Sequence, residues 1–243
     1  MINYFILRSI IIRKILNFFD LFQQKKIIKF FKNNISSEIS IFDVGAHHGE
    51  TIVLFLKNFN IREIHAFEAS SQNFKILNEK NFTKINKNIF INNYGISNKV
   101  GKGLMNQLIE SSSSTICDIN TNSNYYKKKI SILGVNSNNL IQKIIKISFN
   151  TIDKYYLENN FKKIDILKID TEGHEYEVLL GAKDSIKNFQ FIYFEHHYDN
   201  MIKKNYKFHD IHKYLLKNNF KNVFKVKMIF RKSFEYIYQN QIK

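Results

Sequence analysis

A chain of 243 residues is long enough for one sizeable hydrophobic core, and this length favours one domain over two. The formal net charge of +16 would suggest a polyanionic partner, but Pro and Trp are absent while Asn, Lys, Ile and Phe abound, so codon bias accounts for part of the charge. The single cysteine, Cys117, excludes an intramolecular disulfide and a multi-cysteine zinc site, and a reducing, cytoplasmic compartment is expected.

The first part of the chain has an amphipathic pattern. Apolar residues recur at helical spacing over residues 4–32, which predicts an N-terminal helical segment in residues 1–34 and a single domain in residues 35–243. The helix could pack on the domain or on a second subunit. It could also lie on a membrane surface as a peripheral contact, because a basic polar face opposite Phe, Ile and Leu suits an interface. Charged residues interrupt the segment too often for a signal peptide or a membrane span.

Two strand-like segments follow, and each leads into polar residues. Residues 39–44 predict a buried strand that continues through a glycine turn, Gly45 to Gly49, into a helix beginning near Glu50. A second strand, residues 63–67, ends at Glu68, and a serine then offers an N-cap for the next helix. Glycines let a backbone approach a ligand, and a carboxylate can accept two hydrogen bonds from a ribose diol. The pair of strands therefore predicts one nucleoside-binding half of a doubly wound sheet.

The remaining segments continue the alternation of strands and helices. Strands are predicted at residues 89–97, 144–149, 164–169, 189–197, 223–230 and 234–238, the last two as a closing antiparallel hairpin. Helices are predicted from Asn150 or Thr151 through Tyr156, after an N-cap at Asp170 or Thr171, and over residues 208–216. Residues 107–139 predict a long loop, which either contacts the substrate or is simply mobile.

The glycine turn bears on which nucleoside would bind. It lacks the central glycine of the dinucleotide fingerprint, and Glu50 at the helix start would repel a phosphate. S-adenosylmethionine, which carries a cationic sulfonium, fits the carboxylates Asp43, Glu50 and Asp170 better. Two alternatives stay open: a nicotinamide-dependent oxidoreductase, and a basic RNA- or membrane-binding protein that has the fold without the chemistry.

Five segments resemble, in the same order, the FkbM family of S-adenosylmethionine-dependent methyltransferases. They are residues 42–49, 67–68, 94–97, 150–153 and 168–175. The most specific is the last, Lys-Ile-Asp-Thr-Glu-Gly-His-Glu. The resemblance implies an α/β fold with the class I methyltransferase, Rossmann-like sheet: seven mostly parallel strands, one antiparallel strand in the C-terminal hairpin, and here an added N-terminal amphipathic helix.

The resemblance also implies a cofactor, an acceptor and a set of site residues. The cofactor would be S-adenosylmethionine, and the acceptor a hydroxyl on a sugar, a glycan or another small molecule, with nucleic acid not expected as a partner. Cofactor-binding residues would be Asp43, Gly45, His47, Gly49, Glu50, Glu68, Asn93, Gly95, Ile96 and Asp170. Asp43, Gly45 and Gly49 would line the methionine end, Glu68 would hold the ribose, and residues 93–96 would border the adenine. The family usually has Asn where His47 stands and an apolar residue where His48 stands.

The acceptor hydroxyl needs a base, and candidates follow two predicted central strands. We expect His174 or His196 to accept the proton while Asp170 or Glu172 orients the acceptor or the cofactor. Helix capping is the alternative for the carboxylates, because acidic residues favour the first helical turn. A divalent metal ion is the alternative for the whole set, although no spacing characteristic of one metal is present and none is assigned.

Overall fold

A computed structural model describes residues 20–134, 140–229 and 231–242 of the chain. Its strands are β1 (Ile39–Val44), β2 (Ile61–Phe67), β3 (Ile89–Asn92), β4 (Gly95–Ile96), β5 (Gly101–Leu108), β6 (Asp118–Ile119), β7 (Ile141–Asn150), β8 (Ile164–Ile169), β9 (Phe189–His197), β10 (Ile202–Lys203), β11 (Phe220–Lys227) and β12 (Ser233–Asn240). Its helices are α1 (residues 20–34), α2 (Glu50–Leu56), α3 (Ser71–Glu79), α4 (Asn124–Leu133), α5 (Ile152–Glu158), α6 (Glu175–Leu180) and α7 (Phe208–Lys217).

The main sheet has seven strands in the order β11-β12-β9-β8-β1-β2-β3. The strands from β3 across to β9 pair in parallel, whereas β12 is antiparallel to both of its neighbours, β9 and β11. The predicted class I methyltransferase sheet and its C-terminal hairpin are therefore confirmed. The central strands β1 and β8 are buried at every position, as expected for continuous apolar runs covered on both faces.

Helices cover the two faces of this sheet. Ile52 of α2 and Leu77 of α3 belong to the apolar cluster on one face. Val178 of α6 and Leu215 of α7 belong to the cluster on the other face. Side chains supply the predicted helix starts: the hydroxyl of Ser70 caps α3, and that of Thr151 caps α5. This arrangement leaves the carboxyl ends of the parallel strands as the open edge of the sheet.

The described part of the N-terminal helix packs on the domain. Ile27 and Phe31 are buried, and the ring of Phe31 lies 5.7 Å from that of Phe191 in β9. An ion pair of 2.6 Å between Arg231 and Asp20 joins α1 to the turn between β11 and β12. The residues that precede Asp20 lie outside the described part of the chain. Among the described residues, no helix is long and apolar enough to cross a membrane.

Two segments differ from the sequence-based predictions. The strand predicted over residues 89–97 is two strands, of which β4 joins a separate three-stranded sheet with β7 and β5. The loop predicted over residues 107–139 contains helix α4, which Ser123 caps by accepting a bond from the Tyr126 N–H at 3.1 Å. Tyr126 is buried in a cluster with Leu108 and Met201, so long-range packing determines this helix where the local pattern is weak.

Candidate active site

A cavity of about 1240 Å³ lies at the carboxyl ends of β1, β2, β8 and β9. The strand ends and the turns after them form its floor, which includes Gly45, Glu68, Asp170 and Glu195. Two further segments form its walls, residues 109–133 and residues 199–202. The predicted loop therefore does contribute to the cavity, although it does so partly as a helix.

The turn after β1 brings two strand ends into contact. Gly45 has φ +84°, and a Cβ on this residue would lie 1.9 Å from the Asp170 carbonyl oxygen after β8. The Glu68 carboxylate, only 4% exposed, accepts the backbone N–H of His47 and of Ser70, each at 2.8 Å. Burial is the main reason that the pKa of Glu68 is raised. The turn thus positions a buried carboxylate at the cavity with lone pairs left for a ligand.

A buried ammonium group joins β1 to β8 beneath this turn. Lys168 Nζ lies 3.2 Å from Asp43 Oδ1 and 3.4 Å from Asp170 Oδ2. Burial alone would lower the pKa of Lys168, but the charges of the two carboxylates outweigh it and raise the pKa. Asp43 is completely buried and does not line the cavity, whereas Lys168 and Asp170 do. Asp43 therefore holds the lysine in place from below.

The acidic motif lies in the turn between β8 and α6, where Glu172 and Glu175 have different roles. Glu172 has φ +51°, which is uncommon for a residue other than glycine, and Thr115 donates to its carbonyl oxygen at 2.7 Å. The buried Glu175 carboxylate accepts the N–H of Thr171 at 3.3 Å and of Gly173 at 2.9 Å. Glu175 therefore stabilises the turn, while the Glu172 side chain lines the cavity.

A histidine and three carboxylates line the inner wall of the cavity. His197 Nε2 lies 3.5 Å from Glu172 Oε2 and 3.7 Å from Glu195 Oε1, and its Nδ1 lies 3.6 Å from Asp199 Oδ2. Burial opposes the charged form of His197, but the charges of Glu172 and then Glu195 raise its pKa to about 10. Burial raises the pKa of Glu172 to about 7. At neutral pH a cationic imidazole thus lies beside a carboxyl group that can gain or lose a proton.

Glu235 of β12 pairs across the sheet with Glu195, and both line the cavity. Burial, and then the charge of Glu195, raise the pKa of Glu235 to about 8. The folded state binds this proton more tightly than the unfolded state does. The stabilisation of the folded state by the protonated Glu235 is therefore complete below about pH 4.3 and is lost as the pH rises toward 8. We expect Glu235→Gln to raise the melting temperature relative to the wild type at pH 8.5, and the difference to shrink at pH 5.

Thermal unfolding monitored by circular dichroism at the two pH values measures this difference. Glu79→Gln is the matched control, because Glu79 is exposed at the end of α3 and should show no such pH dependence. An equal gain for Glu235→Gln at both pH values would mean that the effect is packing rather than charge.

The structure brings most, but not all, of the predicted site residues to the cavity. The predicted residues that line it are Gly45, His47, Glu50, Glu68, Gly95, Ile96, Asp170 and Glu172. The predicted residues outside its lining are Asp43, Gly49, Asn93, His174 and His196. Gly49 packs toward the side chains of Leu77 and Phe82, and the Asn93 amide donates to the Glu68 carbonyl oxygen at 2.9 Å. These two residues therefore support the turn and the strand end from outside the cavity.

The two histidines predicted as bases point away from the cavity. His174 Nε2 lies 3.0 Å from Ser97 Oγ, and its ring lies over Phe149. His196 is buried against Tyr206 and Phe208, because alternate residues of β9 face opposite sides of the sheet. Burial lowers the pKa of His196 to about 3. Neither imidazole lines the cavity, so a contact of either with the acceptor stays a prediction, whereas His197 is the β9 histidine at the cavity.

Sequence reasoning did not assign a role to several charged residues at the cavity. These are Lys168, Asp199, Arg231 and Glu235. Lys168 carried a usable signal, since a charged residue within a buried strand needs a buried partner. Arg231 and Glu235 carried none, because only the closing hairpin brings them beside β9.

Comparisons with known proteins agree with this geometry. The model of the Methyltransferase FkbM domain family matches residues 43–222, which is well over half of the chain. A search of curated protein sequences finds no significant match.

Solved structures share the fold at low sequence identity. A methyltransferase FkbM from Methylobacillus flagellatus KT is similar at 15% identity with a TM-score of 0.53, over 83% of this chain and 44% of that one. TrmK of M. capricolum, solved with S-adenosylhomocysteine, is similar at 11% identity with a TM-score of 0.51, over 90% of this chain and 68% of that one. Magnesium protoporphyrin IX methyltransferase from Synechocystis PCC 6803, solved with bound SAM, is similar at 12% identity with a TM-score of 0.51, over 99% and 86%. Because the family model matches residues 43–222, which include most of the parallel strands of the sheet, the chain belongs to the FkbM methyltransferase domain family.

Proposed function

We propose that this chain uses S-adenosylmethionine to methylate a hydroxyl group of a sugar, a glycan or another small acceptor. The observation that carries the proposal is that Glu68, at the end of β2, and Glu172, after β8, line one cavity, the first suited to a nucleoside and the second to an acceptor. The cofactor supplies an electrophilic methyl group on a sulfonium. The residues of the chain position the two partners and accept a proton.

The residues at the turn after β1 fit this cofactor. Glu68 offers a buried carboxylate that already accepts two backbone N–H groups, and its remaining lone pairs suit the two hydroxyls of a ribose. Gly45 has no side chain to fill the space where the turn meets Asp170. Asp170 and Glu50 supply negative charge at the same part of the cavity, which suits a sulfonium and an ammonium group.

The charges of the cavity support a neutral or cationic acceptor. Among the described residues that line it, nine carboxylates, of Asp and Glu, accompany five Lys or Arg side chains. This balance is opposite to the formal charge of +16 for the whole chain. With His197 cationic and Glu235 protonated near neutral pH, the cavity still carries no net positive charge that would attract a polyanion such as RNA, unlike the outer surface. A hydroxyl on a carbohydrate carries no such penalty.

Glu172 is the group we assign as the base. Its carboxyl, with a pKa raised by burial to about 7, can accept the acceptor proton near neutral pH. His197, 3.5 Å away, holds the carboxylate in place and stabilises its charged form. Asp170, paired with Lys168, remains to orient the acceptor or the cofactor.

The pH dependence of methylation tests this assignment. We expect the rate to rise with pH through about 7 as Glu172 loses its proton, and Glu172→Gln to lower the rate by roughly 10²- to 10⁴-fold. S-adenosylhomocysteine release, measured with a panel of sugars and glycans as acceptors, reports the rate. Glu177→Gln, which changes a half-buried carboxylate on α6 outside the cavity, is the control. Methylation that survives Glu172→Gln but is lost in His174→Ala would instead assign the histidine as the base.

Calorimetry with two ligands tests the cofactor. We expect the chain to bind S-adenosylhomocysteine with micromolar or tighter affinity and to show no saturable binding of NAD, because Glu50 stands where a pyrophosphate would lie. Saturable NAD binding without S-adenosylhomocysteine binding would overturn the proposed function. RNA binding that disappears at moderate salt, with neither ligand bound, would favour a protein that has the fold without the chemistry.

A peripheral membrane contact through residues 1–33 stays a proposal. It is supported by the basic amphipathic pattern of those residues. Since Ile27 and Phe31 belong to the core, the informative truncation removes residues 1–19 and keeps the packed part of α1. Liposome flotation should be weaker for this truncation than for the full chain, and equal flotation would refute the contact.

A further inference from the structure

The turn after β1 carries three neighbouring side chains, of which the proposed function uses only the charge of Glu50. We propose that His47, His48 and Glu50 bind a divalent transition-metal ion such as zinc at the edge of the cavity. Their ligand atoms all lie within 4.8 Å of one another. All three residues line the cavity, so an ion there would be reachable from solvent. The proposal does not depend on the identity of the cofactor or the acceptor.

The spacing of two of these groups already suits a metal ion. His47 Nδ1 lies 3.3 Å from each carboxylate oxygen of Glu50. In a tetrahedral zinc site, bonds of about 2.0 to 2.1 Å to nitrogen and oxygen place neighbouring ligand atoms about 3.3 Å apart. The nitrogen and the carboxylate are therefore separated by roughly the distance that an ion between them requires.

In one of its two neutral tautomers, the His47 ring presents an unprotonated Nδ1 to Glu50. His47 Nε2 lies 2.8 Å from Ser111 Oγ, and when the ring donates this bond, the Nδ1 lone pair faces the Glu50 carboxylate. Two acceptors that face each other need a shared proton or a cation between them. A second partner that fixes the tautomer and the orientation of a ligating imidazole is common in metal sites, and Ser111 provides one here.

His48 supplies the third ligand from the same turn. Its ring stacks on that of His47 with centroids 3.7 Å apart and planes inclined by 21°. The backbone beneath them is held, because the N–H of His47 donates to Glu68 and that of His48 donates to Glu50 at 3.2 Å. Only side-chain rotation is then needed to separate the rings and direct a nitrogen from each toward one ion.

The composition of the group decides the class of ion. Two imidazoles with one carboxylate suit zinc, copper, nickel and iron better than magnesium or calcium, which prefer oxygen ligands alone. Three ligands from the protein leave at least one coordination position for water or for a polar group in the cavity. Within the described ranges 20–134, 140–229 and 231–242, no other group of three or more His, Cys, Asp or Glu side chains lies close enough together to share one ion.

Calorimetric titration of the full chain with zinc chloride, without any cofactor, tests the proposal. We expect one binding site, and His48→Ala and Glu50→Gln should each weaken it by at least 10-fold. Cobalt substitution supplies a second readout, since a tetrahedral nitrogen and oxygen site should give an intense visible absorption that both variants lose. Circular dichroism establishes that the variants are folded.

Two further histidine variants serve as controls. His209→Ala removes an exposed histidine on α7, and His197→Asn removes the cavity histidine beside Glu172 and Glu195. Both should bind zinc like the wild type. Absence of zinc binding in the wild type, unchanged binding in Glu50→Gln, or loss of binding in His197→Asn would each overturn the proposal. Because no cofactor is present, failure of the metal site is distinguishable from failure of S-adenosylhomocysteine binding, which is measured separately.

Discussion

Replacing Glu68 with Ala should weaken the binding of S-adenosylhomocysteine by roughly 10²-fold or more. The Glu68 carboxylate is buried at the end of β2 and lines the cavity, where it is suited to accept two hydrogen bonds from a ribose. Hydrogen bonds to a charged group contribute about 1.5 to 3 kcal/mol each, so the loss of two corresponds to a change of this size. Isothermal titration calorimetry measures the two affinities.

The control for this prediction lies on the same strand. Glu63 Oε2 of β2 lies 3.1 Å from His65 Nε2, and Glu63 does not line the cavity, so Glu63→Gln should bind the ligand like the wild type. Because Glu68 also accepts the N–H groups of His47 and Ser70, the melting temperature of Glu68→Ala must be measured beside the affinity. An unchanged affinity in a folded Glu68→Ala variant would show that the nucleoside does not bind at the end of β2.

Replacing Gly45 with Ala should lower the free energy of unfolding by about 2 to 5 kcal/mol. A Cβ at this position would lie 1.9 Å from the Asp170 carbonyl oxygen, and φ of +84° is unfavourable for an L-residue. Both strand ends would have to move apart, so the cofactor affinity should fall together with the stability. Urea unfolding followed by fluorescence or circular dichroism measures the change.

A second glycine provides the matched comparison. At Gly101, the first residue of β5, a Cβ would meet no heavy atom within 4 Å, and φ is not positive. Gly101→Ala should therefore change the free energy of unfolding by less than about 0.5 kcal/mol. Equal losses in the two variants would mean that the close approach of the β1 and β8 turns does not limit stability.

The fold could be predicted from the sequence because each central element carries a strong local signal. The strands β1 and β8 are mostly apolar and buried at every position, and Ser70 and Thr151 cap the helices α3 and α5. The helix α4 could not be predicted in the same way. Its pattern is weak on its own, and its buried Tyr126 packs on residues that are distant in the chain.

The residues of the candidate site also fall into those that the sequence predicts and those that only the tertiary structure identifies. Glu68, Asp170 and Glu172 were predicted at the cavity because each follows a strand, and parallel strands end at one edge of the sheet. The choice among His174, His196 and His197 depended on the direction of each side chain. In the tertiary structure, the His196 side chain points into an aromatic cluster and that of His174 points toward Ser97, whereas that of His197 faces the carboxylates.

By itself, the sequence of this chain determined the order of the strands in the main sheet's parallel part, the strand ends at which ligands collect, and the family. Only the tertiary structure decided which charged groups meet there. Lys168 lies between two carboxylates, and Glu235 reaches Glu195 through the antiparallel strand β12. The physical reason is that periodicity and capping are local properties of a sequence, whereas the pKa of a buried group depends on neighbours that long-range pairing brings together.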